Sequence, residues 1–170
     1  MPTSTHRPVA VYQMHAAVLP IAVLLGLLLQ MLLPLKFPLA RLMDFPLLIT
    51  IYFALIRRDK IYGIVLGTVL GLLQDALSHG LIGINGITKA MVGYLVASAS
   101  TRFELESLPA RALLTGVFVL INNLSLVVLQ RVLLEAPPSF QPLALASTLL
   151  VNVALGLILY QILDRFRRPA

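Results

Sequence analysis

Few residues of this 170-residue chain could do chemistry, and three of them crowd together: Asp75, Ser78 and His79. An acid, a hydroxyl and an imidazole are the ingredients of a hydrolytic triad, which requires the three groups to align as a chain of hydrogen bonds. Within five consecutive positions at a helix end that alignment is out of reach, so no catalytic residue is expected here. An intramembrane aspartyl protease would need two deep aspartates, and only Asp75 lies deep in an apolar run. His6, His15 and His79 lack metal-ligand spacing, and with no cysteine there is neither a thiolate site nor a disulfide. Gly80, Gly83 and Gly86 imitate a dinucleotide-binding fingerprint, but no strand precedes them, so they read as a flexible turn. The expectation is a chain with no catalytic centre, cofactor or metal.

What remains is charge in apolar surroundings. Gly63, Gly67 and Gly71 recur every four residues, and their row continues into Asp75; Lys89, Gly93 and Ala97 form a similar stripe. Small residues let two helix backbones approach closely in lipid. An antiparallel hairpin that sets Gly71 opposite Gly93 and Gly67 opposite Ala97 also sets Asp75 opposite Lys89. Each charge would be costly alone in hydrocarbon, so the alignment predicts an Asp75–Lys89 ion pair near the outer side of the membrane core. Asp75 then serves either as a structural clamp or in binding a partner or ligand, with Lys89 as its counter-ion. The glycine stripe serves either packing within the hairpin or an oligomer face. Gln30, Asn122, Asn123 and Asn152 are expected to hydrogen-bond between helices.

The elements that carry these residues follow from composition. The chain is 59% hydrophobic and 12% charged, against about a quarter charged in a soluble domain. Too few polar residues exist to cover a water-exposed surface, so most of the chain faces lipid. Runs of about twenty apolar residues mark membrane-spanning helices, and six occur, at 16–35, 39–56, 61–79, 84–100, 112–130 and 142–163. The runs are continuous rather than alternating, which favours helices over barrel strands. Arg41 and Asp44 interrupt the second, and Pro46 suits a first helical turn, so its apolar part, 45–56, is expected to be short or tilted. The reading is an all-α membrane protein, with 1–170 forming a single six-helix transmembrane domain.

The net charge of +6 would suggest nucleic acid in a soluble protein. Here the cations lie between and after the apolar runs, where they track membrane orientation and anionic headgroups, so lipid rather than nucleic acid is the expected neighbour. One side collects nine, namely Arg7, Arg57, Arg58, Lys60, Arg102, Arg111, Arg165, Arg167 and Arg168; the other collects Lys36, Arg41 and Arg131. That asymmetry predicts cytoplasmic N- and C-termini. A signal peptide over the first forty residues is disfavoured by the length of the first apolar run and by the lack of a small-x-small cleavage site.

The stretch 44–94 resembles the rod shape-determining protein MreD family. The resemblance rests on its order: a short apolar span, the basic loop Arg57, Arg58, Asp59, Lys60, the spaced glycines Gly63, Gly67 and Gly71, then Gln74, Asp75, Ala76, and finally Gly83, Ile84, Asn85. In that family a glycine-spaced helix ends in an acidic residue, and a turn of glycine, apolar residue and asparagine opens the next helix. The resemblance implies a non-enzymatic subunit of the bacterial cell-elongation machinery in the cytoplasmic (inner) membrane, supporting peptidoglycan synthesis and cell shape. Its implied partners are MreC, MreB, the RodA glycosyltransferase and a penicillin-binding transpeptidase, with a homodimer among the assemblies left open. The implied fold is similar to the substrate-binding subunits of energy-coupling-factor transporters, so a vitamin-capture subunit is the alternative function. The structural or partner-binding residues singled out are Gly63, Gly67, Gly71, Asp75, Gly83, Asn85, Lys89 and Gly93.

Overall fold

A computed structural model describes residues 13–14, 17–78, 81–101, 107–134 and 141–168. His79 and Gly80, and the proline-rich stretch 135–140, lie outside the described residues. Six helices fall on the six apolar runs: α1 (Val18–Lys36), α2 (Phe45–Arg57), α3 (Lys60–Ser78), α4 (Ile84–Ser100), α5 (Leu108–Leu133) and α6 (Pro142–Asp164). Four of them, α1, α3, α5 and α6, are long and apolar enough to cross a membrane by length and composition. Beyond the helices there is a two-residue antiparallel ladder, Gln13–Met14 with Arg167–Arg168, which brings the two ends of the described chain together.

Successive helices reverse direction, so the bundle has two ends. One end, A, holds the α1–α2 and α3–α4 turns, the end of α5 and the start of α6. End B holds the α2–α3 turn, the α4–α5 connection and the two-residue ladder. Arg57, Arg58, Lys60, Arg111 and Arg165 gather at end B, and Lys36, Arg41 and Arg131 at end A.

The centre of the bundle is α2. Ten consecutive residues, from Phe45 to Ala54, are buried, as expected of a helix that is apolar all round. Its 13 residues span only about 20 Å, short of the roughly 30 Å of bilayer hydrocarbon. The 3-10 turn Pro38–Leu42 leads into it from the end of α1. Its first turn is therefore made inside the protein, where backbone groups that water cannot reach need partners. At end B, Arg58 closes the helix in the left-handed region (φ 54°), and the next residue, Asp59, accepts through Oδ1 from Ile61 N at 2.8 Å to start α3. Close by, Tyr52 stacks on Tyr160 with centroids 5.4 Å apart. Its hydroxyl donates to Asp164 Oδ1 at 2.8 Å, and Arg111 pairs with the same carboxylate.

Helices α3 and α4 form the tightest pair. A Cβ on Gly63 would stand 2.4 Å from the Gly93 carbonyl oxygen, one on Gly67 2.1 Å from that of Lys89, and one on Gly71 2.3 Å from that of Asn85. Backbone lies directly on backbone, and no larger residue fits. The glycine stripe thus packs within the hairpin, but in a different register from the sequence alignment. Gly71 faces Asn85 instead of Gly93, and Gly67 faces Lys89 instead of Ala97. At about 1.5 Å per residue, this eight-residue offset is a slide of roughly 12 Å.

Candidate functional site

The slide has a cause in the first turn of α4. A helix that begins among apolar neighbours carries unsatisfied N–H groups, and the residue before α4, Gly83, has no side chain to cap them. Asp75, one turn before the end of α3, does so from the neighbouring helix. Its carboxylate is 1% exposed and accepts from Gly83 N at 2.8 Å, Asn85 N at 3.1 Å and Gly86 N at 3.3 Å. Asn85 Nδ2 adds a fourth donor at 2.7 Å. To reach these groups Asp75 must sit above the start of α4, so the hairpin settles where the cap is made. Gly83 turns the chain into that position with φ 107°, a conformation side chains with a Cβ rarely adopt.

The predicted Asp75–Lys89 ion pair is therefore not formed. Lys89, fully buried, reaches away from α3: its Nζ lies 2.9 Å from Asp44 Oδ2 and 3.1 Å from Asn85 Oδ1. Asp44, read from sequence as an interruption of the second span, is the N-cap of α2, with Oδ1 accepting from Leu47 N at 3.1 Å. Two features signalled this in the sequence, an acid just before an apolar run and a proline in that run's first turn. The distant partner, 45 positions along the chain, carried no local signal.

Around Asp44 the network continues into two more helices. Asn152 of α6 accepts from Asp44 N at 2.8 Å, and its Nδ2 donates to Leu42 O and Thr148 O. Gln30 of α1 donates to Met43 O at 3.0 Å and accepts from Phe45 N at 3.1 Å. These two amides hydrogen-bond between elements as expected. Asn123 does not, donating instead to Val119 O of its own helix, and the buried Oδ1 of Asn122 has no partner among the described residues. The assembled cluster, Gln30, Asp44, Asp75, Asn85, Lys89 and Asn152, ties five helices together at end A.

The cluster is close to electrically balanced. Two carboxylates face one ammonium and the N-termini of α2 and α4, each equivalent to roughly half a positive charge. Every charge has a counterpart within hydrogen-bonding distance, which is the condition for keeping ions out of water. The carboxylate of Asp75 is fully engaged by α4, so the arrangement acts as a fastening between helices.

A profile of the rod shape-determining protein MreD matches residues 12–169, nearly the whole chain. The chain belongs to the MreD family. No characterised protein and no solved structure matches it significantly. As an MreD-family chain with four helices apolar enough to span a bilayer, it is a rod shape-determining membrane protein. The spaced glycines and the Asp75 cap are the features on which sequence resemblance and observed geometry coincide. The Lys89–Asp44 pair lies beside them.

Proposed function

We propose that the chain is a non-catalytic subunit of the bacterial cell-elongation complex, placed in the cytoplasmic (inner) membrane with end B and both termini on the cytoplasmic side. There it supports peptidoglycan synthesis and cell shape through helix–helix contacts with MreC, within an assembly that includes MreB, RodA and a penicillin-binding transpeptidase. The observation that carries the reading is the family match over residues 12–169. The orientation is supported by the cation excess at end B. The polar cluster supports a structural role for Asp75, Asn85 and Lys89. Its hydrogen bonds run to one another and to backbone, holding α1, α2, α3, α4 and α6 in one arrangement whose outer faces partners can read. The exposed apolar faces of α1 and α6 are suited to lipid and to partner helices.

A vitamin-capture subunit of an energy-coupling-factor transporter would need polar and aromatic groups converging on a pocket. The cleft between α1, α2 and α6, about 390 Å³, is instead walled by apolar side chains such as Val18, Leu25, Phe45, Ile49, Leu163 and Phe166, which favours the scaffold reading. Depletion of the protein in its native host, with co-purification from membranes, tests the proposal. Rounded cells and recovery of MreC are expected; unchanged rods would defeat it. A thermal-shift screen with vitamins is the complementary test, where stabilisation by one compound would move the assignment to the transporter class.

A further inference from the structure

The cleft between α1, α2 and α6 runs along the bundle from end B. Its α1 wall begins at Val18 and ends at Leu29, its α6 wall runs from Leu159 to Phe166, and Phe45 and Ile49 of α2 form its floor. At about 1.5 Å per residue the α1 wall is roughly 16 Å high, which is one leaflet's share of the roughly 30 Å of bilayer hydrocarbon. Both limits are set by the fold. Beyond Leu29, Gln30 is hydrogen-bonded to the α2 entry through Met43 O and Phe45 N, which ties α1 to α2 and stops the cleft. At the other limit the ladder of Gln13–Met14 with Arg167–Arg168 links the segment before α1 to the segment after α6.

The walls are apolar throughout, and several of their side chains remain open: Ile21 is 55% exposed, Leu25 53% and Phe166 53%. Spread over that height, the cleft's volume of about 390 Å³ corresponds to a channel about 5 Å across. An α-helix with its side chains measures about 10–12 Å and is too wide to enter between α1 and α6. A single hydrocarbon chain, whose carbons stand about 4 Å from those of their neighbours, has the right width.

Charge at the end B mouth selects the headgroup. Arg165 follows α6 directly, one position before Phe166 and three after Ile162, so it flanks the α6 wall where the cleft meets headgroup level. It is exposed, and among the described residues it pairs with no carboxylate. The neighbouring Asp164 is engaged by Arg111 and Tyr52. Arg167 and Arg168 follow in the ladder. Arginine at headgroup level attracts the phosphate of an anionic lipid. We propose that the cleft seats one acyl chain of an anionic, phosphatidylglycerol-type lipid from the leaflet at end B, with the headgroup phosphate on Arg165. The proposal rests on the chain spanning a bilayer and is independent of the partners named above.

The test uses the full chain, purified in mild detergent. Phosphatidylglycerol and phosphatidylcholine carrying the same photoactivatable acyl chain are cross-linked to it and the adducts are mapped by peptide mass spectrometry. Native mass spectrometry reads lipid retention and oligomeric state. Adducts should concentrate on 18–29 and 159–166, and phosphatidylglycerol should be retained about fivefold more than phosphatidylcholine, the factor that one arginine supplies near an anionic headgroup. Ala22→Phe, on the α1 wall, should fill the cleft and remove those adducts. Arg165→Gln should keep the adducts but bring the two lipids to equal retention; the site is exposed, so this arm reads the proposal even where Ala22→Phe does not fold. Adducts spread evenly over the exposed faces of all helices, or unchanged in folded Ala22→Phe, would overturn the proposal. Equal retention of the two lipids by the unaltered chain would do the same, as would a preference that survives Arg165→Gln. An Ala22→Phe chain that keeps its lipids but loses a dimer would make the cleft a seat for a second copy and defeat the lipid assignment.

Discussion

If Lys89 is bonded to Asp44 and only bridged to Asp75 through Asn85, the two carboxylates should couple to it very differently. At 2.9 Å and an effective dielectric constant of about 20, the direct Coulomb attraction is about 6 kcal/mol. Desolvation cancels much of that, and polar pairs in membrane proteins give measured couplings averaging about 0.6 kcal/mol, with a maximum near 1.7. A fully buried lysine facing a side chain 17% exposed belongs toward the upper part of that range, at about 1–1.7 kcal/mol. The experiment is a pair of double-mutant cycles, one combining Lys89→Met with Asp44→Asn and one combining it with Asp75→Asn. Each is read by reversible unfolding in mixed micelles with increasing denaturing detergent. The Asp44 cycle should show the larger coupling, and the Asp75 cycle a smaller one carried only through the shared Asn85. Asp75→Asn should still be costly by itself, because its carboxylate accepts from three backbone N–H groups of α4 and one amide. A stronger coupling to Asp75 would refute the observed pairing and restore the register in which the two residues face each other.

Other perturbations read separate parts of the same structure. Gly67→Ala places a methyl 2.1 Å from the Lys89 carbonyl oxygen, which only backbone movement relieves, so destabilisation of at least about 2 kcal/mol is expected in the same assay. Gly116→Ala, whose methyl meets Val153 at an ordinary 3.5 Å, should be neutral or slightly stabilising. Gly83→Ala meets no atom within 4 Å but inherits φ 107°; a loss of about 1–2 kcal/mol would trace to backbone conformation alone. Asn152→Ala strips partners from Asp44 N and Leu42 O together, with an expected cost of about 1–3 kcal/mol; an unchanged unfolding midpoint would show that the α6 anchor is dispensable.

The helices were legible because hydrocarbon leaves so few options. Every backbone group in lipid must be bonded within its own segment, so an apolar run of sufficient length determines a helix, and α4 begins and ends at the residues where the run 84–100 does. Close packing of α3 on α4 was one of the two uses, beside an oligomer face, that the spacing of Gly63, Gly67 and Gly71 offered, and the bundle uses it within the hairpin. The shortness of the second helix was foreshadowed by Pro46 and by the polar residues ahead of it; its central position was not. Register and pairing were not legible in the same way. A stripe with a four-residue repeat fits its partner at several offsets that differ by whole turns, and side-chain spacing alone does not choose among them. The choice fell to the unsatisfied N–H groups at the start of α4, which bring Asp75 to them and leave Lys89 facing elsewhere. Its partner, Asp44, comes within reach only when α2 packs against α4 in the folded bundle. Sequence by itself therefore determined which segments leave water and which charges must find company inside. The tertiary structure decided the company, because hydrogen-bond donors and acceptors are matched in space rather than along the chain.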